Sequence, residues 1–220
     1  MFPVLRATAA RSGVDVELSG RPVLGLTTAS IVVVEISSFK CAHCRTFHEQ
    51  VFPLLRKNYI ETGKIQWVVV NASDDESEQH GKIFALARCV HRQGKYWAGD
   101  PLRTRAKIAL ARCVHRQGKY WEMLDGLFSV AHRAPSALEA LVAKSPLLDR
   151  SELAVCLAER TVRAAVASDF AHAARLKIRG TPTFVISKWN AIGQRTEATI
   201  AGAQTLVQFQ RVLDELLKMP

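Results

Sequence analysis

From Ile31 to Ile36 the chain carries a β-branched apolar run broken only by Glu35, and Ile65 to Val70 repeats the pattern around Gln66. Runs of this length and branching read as buried strands. The first stops at the turn signal Ser37-Ser38, and a helix is expected to open at the cysteines that follow. Beyond them Phe47, Val51, Leu54 and Leu55 fall at i, i+4, i+7 and i+8, the apolar face of an amphipathic helix that Pro53 is expected to kink. Gly63 ends that element. Strand, helix and strand of this length make a right-handed crossover with parallel strands. Upstream, Val14 to Leu18 alternates apolar and polar and leads through Ser19 to Gly25, a short edge strand or hairpin after a loose first dozen residues. Downstream, Asn71 to Glu78 is a polar loop with solvated acids at Asp74, Asp75 and Glu76.

The middle of the chain is helical. Ser136-Ala137-Leu138-Glu139 has the form of a capping box, and Ser151 precedes Leu153, Cys156 and Leu157 on one face. Val166, Phe170 and Ala173 or Ala174 recur at helical spacing within Arg163 to Leu176. Thr183 to Ile186 is then a strand, Lys188 to Arg195 a polar turn, and Glu197 to Ala201 an antiparallel partner closed by Gly202. A last helix starts at the box Thr205 to Gln208 and buries Leu206, Phe209, Val212, Leu213 and Leu216. The sum is an α/β fold, a mixed sheet of about four or five strands with helices on both faces and a helical insertion.

One feature of the middle has no parallel elsewhere. Ala85 to Trp97 recurs without a change as Ala109 to Trp121, thirteen identical residues at an offset of 24. A repeat architecture runs to three or more diverged copies, so two perfect copies point to a recent or engineered tandem duplication. Ala98-Gly99-Asp100-Pro101 between them reads as a helix-turn-helix connection. The second copy continues into Glu122-Met123-Leu124-Asp125-Gly126-Leu127-Phe128.

Composition narrows the field. At 220 residues and 48% hydrophobic, the chain can bury one core, or one core with a satellite. No apolar run approaches the ~18 residues needed to cross a bilayer, and a soluble protein is expected. The start, Met1-Phe2-Pro3-Val4-Leu5-Arg6, is no complete secretory signal, so either a leader has been removed or the protein is cytosolic. Of the net charge of +10, Lys82 to Lys119 holds ten basic residues against Asp100, a local +9 to which the duplication contributes. Such a surface meets nucleic acid, anionic lipid or acidic clients, or is simply solvated. No nucleic-acid motif accompanies it, and the solvated reading is preferred.

The candidate chemistry lies at Cys41-Ala42-His43-Cys44. A cysteine at a helix N-terminus faces unpaired N–H groups and the positive end of the helix dipole, which favour its anion over that of a free thiol of pKa about 8.5. Cys44, one turn on, is within reach for a disulfide, and His43 and Lys40 add positive charge or a hydrogen bond. Zinc needs a second pair of ligands, for which only His43 and His48 are near. A c-type haem needs histidine where Arg45 stands. Redox chemistry is therefore expected, with no metal and no cofactor.

The run Val34-Glu35-Ile36-Ser37-Ser38-Phe39-Lys40-Cys41-Ala42-His43-Cys44, followed far downstream by Gly180-Thr181-Pro182-Thr183-Phe184, resembles the DsbA-like thiol:disulfide oxidoreductases. The resemblance is strong over 20–70 and 152–217 and weak between. It implies a thioredoxin-like sheet flanked by helices with an inserted all-helical domain, divided as 13–75, 76–175 and 176–220. It implies Cys41 as nucleophile, Cys44 as resolving cysteine, a cis proline at Pro182 that leaves the backbone of Thr181 free to pair with a client, and Glu35 as a buried acid that relays protons with a raised pKa. An alternative for Glu35 is satisfaction by a lysine. Some relatives join cysteines like Cys113 and Cys156 in a second disulfide, leaving Cys89 odd; buried free thiols are the other reading. By the same resemblance the second copy of the repeat holds the family position. The implied protein donates disulfides to reduced clients in the periplasm or another extracytoplasmic space and is reoxidised by a membrane or soluble partner, as a monomer. A reductase or isomerase on the same fold, and a basic binding protein with a vestigial Cys-x-x-Cys, are the alternatives.

Overall fold

The computed structural model describes residues 21–72, 100–129, 135–175, 178–190 and 193–219. The repeat's first copy, Val14 to Leu18, the first dozen residues and the acids at 74–76 lie outside them. The sheet has five strands, β1 (Val23–Leu24), β2 (Ile31–Ser37), β3 (Ile65–Asn71), β4 (Thr183–Trp189) and β5 (Arg195–Ala201), in the order β1-β3-β2-β4-β5. Only β2 and β3 run parallel, with Glu35 opposite Val69; β4 lies antiparallel on the other side of β2, with Phe184 opposite Glu35. Gly25, which turns the chain from β1 toward β2, has φ of 96° and a Cβ there would lie 2.6 Å from the Ile65 carbonyl oxygen, so no other residue fits.

Strand alternation splits the core into two layers. Val34, Ile36, Val68, Val70 and Val185 face one way and pack with Ala173 of α7 (Arg160–Arg175). Ile31, Val33, Trp67, Val69, Phe184 and Ile186 face the other way, against Phe47 of α1 (Ala42–Gln50) and Phe209 and Leu213 of α8 (Leu206–Lys218). Thr205 N donates to Gln208 Oε1 at 3.2 Å, the expected capping box. At the far end of α8 the buried Lys188 donates to the Leu216 carbonyl at 2.9 Å, which also accepts from Met219 N, and to the Met219 carbonyl, adding a cation at the end of the helix.

The helix that opens at Cys41 does not run straight on as a single apolar face. It breaks at Val51, resumes as α2 (Phe52–Leu55) and ends in a π-helical turn over Arg56–Ile60. Pro53, which lacks an N–H, accounts for the break. The register change turns Leu54 outward, 44% exposed, and brings Phe52 into the core in its place. Asn71 is the last residue of β3 and buried, not the first of a loop. The turn after β4 is shorter than expected, since the strands continue to Trp189 and from Arg195.

The helical layer comprises α3 (Asp100–Arg116), α4 (Tyr120–Ser129), α5 (Pro135–Lys144), α6 (Arg150–Ala158) and α7. α5 starts one residue before Ser136. The cap of α6 is Asp149, whose Oδ1 accepts from Ser151 N at 2.8 Å and Glu152 N at 3.0 Å; Ser151 lies inside the helix. The second copy of the repeat is anchored along its length. Arg112 Nε reaches Asp169 Oδ2 at 3.2 Å, Gln117 Nε2 donates to the Asp149 carbonyl at 2.8 Å, and Trp121 Nε1 donates to the Val23 carbonyl at 3.2 Å. Asp169, 1% exposed, also pairs with Arg21, so one buried carboxylate ties the entry to the sheet to α3 and α7. Part of the basic charge is thereby neutralised, as it is where Arg116 Nη1 meets Glu159 Oε2 at 2.7 Å.

Candidate active site

Cys41 is the N-cap of α1, with extended backbone at φ −78° and ψ 116°. Its Sγ accepts from Cys44 N at 3.4 Å, the geometry in which a cap satisfies a free N–H of the first turn. The same sulfur donates its thiol proton to the Thr181 carbonyl at 3.1 Å, across 140 residues of sequence. The Thr181–Pro182 peptide is cis, and Pro182 is buried at the head of β4. The Thr181 carbonyl therefore accepts from Cys41 in the dithiol state.

Cys41 and Cys44 are both free thiols, Cys41 partly exposed and Cys44 fully buried. Burial pushes the Cys44 thiol well above the ordinary thiol range, and the Glu35 charge adds to it. His43 lies exposed on the helix between them.

Glu35 is wholly buried beneath this pair, on the same face of β2 as Val33. Burial by itself would raise its carboxyl. Its surroundings reverse the sign: His48 Nε2 meets Oε1 at 2.8 Å, Trp67 Nε1 donates to Oε2 at 3.0 Å, and the result lies below the usual carboxylate range. The Ser37 hydroxyl, buried without a hydrogen bond of ordinary geometry, favours both the Glu35 carboxylate and the Cys44 thiolate. The expected raised acid is thus a depressed one, and its partner is a histidine, not a lysine. His48 was legible as a neighbour, since it stands four residues after Cys44 on one helix face. Trp67 was not, because only the β2–β3 register brings it to Glu35. With His48 turned to Glu35 and His43 in solvent, the two histidines do not complete a site around the cysteines. Among the described residues no group of three or more His, Cys, Asp or Glu is placed to hold a metal ion.

Away from this site Cys113 of α3 and Cys156 of α6 are joined in a disulfide, with Cα atoms 5.8 Å apart. Cys89 lies outside the described residues.

A family model described as thioredoxin matches residues 17–102 and 99–214, nearly the whole chain. The chain belongs to the thioredoxin family. Each of the two matches contains one copy of the repeat. Among curated relatives, disulfide bond formation protein D of Bacillus subtilis is 33% identical over 84 residues, 38% of this chain and 35% of that protein. The match thus spans about a third of that relative's length. The structure of alpha-DsbA1 from Wolbachia pipientis superposes with a TM-score of 0.70 at 22% identity, covering 91% of this chain and 92% of that one. Oxidised BdbD from Bacillus subtilis gives 0.65 at 20%, covering 92% and 96%. The fold is accordingly the thioredoxin fold in its DsbA-like form, with helices beside the sheet.

Proposed function

We propose that this protein is a thiol:disulfide oxidoreductase that donates a disulfide to client proteins through Cys41 and Cys44. The observation that carries the reading is the position of Cys41 Sγ, at a helix N-terminus and 3.1 Å from the carbonyl of Thr181 beside Pro182. In the oxidised protein a client thiolate attacks Cys41 Sγ. The Cys41–Cys44 bond breaks with its electron pair going to Cys44, and a mixed disulfide forms. A second client thiolate then attacks the client sulfur of that bond, and Cys41 leaves as thiolate, so the client gains a disulfide and the protein two thiols. A redox partner, membrane-bound or soluble, takes the two electrons. The N–H of Cys44 and the dipole of α1 stabilise the departing anion, and Lys40 and His43 stand nearby as a positive charge and a hydrogen-bonding ring.

Oxidation also removes the proton that Cys41 donates to Thr181. Thr181 and Pro182 then form the edge against which an extended client segment lies. Residues 13–75 and 176–220 form one discontinuous catalytic domain in this reading, and 76–175 a helical domain set into it. No cofactor is required, the protein acts as a monomer, and its place is periplasmic or otherwise extracytoplasmic, where disulfides persist. Among the described residues no helix is long and apolar enough to cross a membrane.

The test is to mix the oxidised protein with a reduced two-cysteine client. One client disulfide should form per protein, and a Cys44→Ser variant should accumulate the mixed disulfide at Cys41. A Cys41→Ser variant that oxidises the client as well as the parent sinks the proposal. Equilibration with glutathione separates a disulfide donor from a reductase or isomerase.

A further inference from the structure

His48 is 2% exposed, yet it is a polar ring enclosed by apolar ones, with Phe52 at 4.8 Å and Phe128 stacked at 4.7 Å between centroids. Its Nδ1 is buried without a hydrogen-bond partner. Nε2 meets Glu35 Oε1 at 2.8 Å, so Glu35 is the ring's one polar anchor among the described residues. A histidine is an expensive way to fill an apolar slot, since an unpaired buried polar atom costs about 1–3 kcal/mol. Its presence calls for a role that a phenylalanine cannot fill.

Glu35 supplies the reason. A carboxylate taken wholly out of water takes up a proton unless a cation or several donors hold it ionised. Trp67 fills one oxygen with a neutral donor; His48 is the group that can bring a full charge. The groups facing Glu35 come from four elements: His48 and Cys44 on α1, Ser37 on β2, Trp67 on β3, and Tyr120 on α4. Tyr120 is itself buried and stays a neutral phenol, pushed up by burial and by the charges of Glu35 and Asp169, with Arg112 opposing. The charge that reaches Cys44 is that of Glu35.

We propose that His48 is a positioning residue that fixes the ionisation of Glu35 and, through Glu35 alone, sets the reactivity of the buried Cys44 sulfur. It rests on the oxidoreductase reading for its use, since Cys44 is there the sulfur that leaves in the first step. A carboxylate held charged beneath Cys44 opposes its thiolate, so the Cys44 thiolate left when the disulfide opens takes up a proton from solvent and, as a thiol, does not turn back on the mixed disulfide at Cys41. His48 thereby favours transfer of the disulfide onward to the client over return to Cys44.

The experiment reads Glu35 directly, without a client. Infrared titration of the carboxyl band should place the Glu35 midpoint lowest with His48, higher in His48→Gln, which keeps a neutral donor, and highest in His48→Leu, at least one pH unit above the parent. In a Cys41→Ser background, His48→Leu should speed alkylation of Cys44 at pH 8 by at least tenfold. Glu35→Gln should do the same, and the double variant no more than Glu35→Gln alone. An unchanged midpoint in both His48 variants overturns the proposal, as does a double variant in which the two effects multiply, the sign of a merely structural role. If the leucine variant does not fold, the glutamine variant carries the test. None of these readouts depends on client oxidation, so a failed oxidoreductase assay and a failed His48 proposal are told apart.

Discussion

The protein holds two pairs of cysteines in opposite ways. Cys41 and Cys44 are three residues apart at the start of one helix, unjoined, with one sulfur partly open to solvent and turned toward the backbone of Thr181. Cys113 and Cys156 are 43 residues apart on two helices, joined, and only 1% and 7% exposed. The contrast teaches what makes sulfur exchangeable. Local geometry suffices to bring the first pair within reach, and its outer sulfur caps the helix that carries both. The second pair is brought together only by the packing of α3 on α6, and its effect is felt in the cost of unpacking them.

Breaking either pair should therefore do different things. The largest effect belongs to Cys41→Ser, which should reduce client oxidation to the uncatalysed background while leaving the denaturation midpoint in place; stopped assays of client thiols decide it. Replacing Cys113 and Cys156 by alanine together should leave the chemistry of Cys41 intact. It should lower stability by about 4 kcal/mol, the loop-closure contribution for residues this far apart, read from guanidinium unfolding. A midpoint equal to the parent's would show that the second bond does not hold the helices.

Within the first pair the two sulfurs should differ strongly. At pH 8 iodoacetamide should label Cys41 more than about 100-fold faster than Cys44, because burial and the Glu35 charge both oppose the Cys44 thiolate. Peptide mapping of partly labelled protein measures the ratio, and equal labelling would remove the asymmetry on which the assignment of roles rests. The smallest effect is in acid. Glu35 is depressed in the folded state, so its contribution to stability is present above the unfolded value of 4.5 and is lost as pH falls through the lower folded value. The parent should lose stability below about pH 4.5 more steeply than Glu35→Gln, and the alanine double variant should keep the parent's slope.

Much of the first pair's setting was legible from local pattern. The β-branched runs, the Ser-Ser turn and the i, i+4 spacing of Phe47 place Cys41 at a helix start. Thr205 and Gln208 declare their capping box without help from the rest of the chain. Signals failed where two local rules compete. Ser151 has the look of a cap, but Asp149 two residues earlier takes the orphan N–H groups, since its carboxylate is the stronger acceptor. Leu54 fits the helical period, but the period itself changes at Val51 and Pro53. The two copies of the repeat are identical in sequence, and nothing local distinguishes them. The second is seated by partners outside the repeat, Asp169, Cys156, Asp149 and Val23.

By itself the sequence determined most of the elements, their order, and which helix start carries the Cys-x-x-Cys pair, because capping, alternation and branching act over a few residues. The tertiary structure alone decided what lies against that sulfur and beneath it. Thr181 reaches Cys41 because β4 pairs with β2, and Glu35 meets Trp67 because β2 pairs with β3 in one register. The charge of Glu35 follows from that assembly, since burial alone favours the protonated acid and the groups that reverse it, His48 first among them, arrive only when helix and sheet close over it.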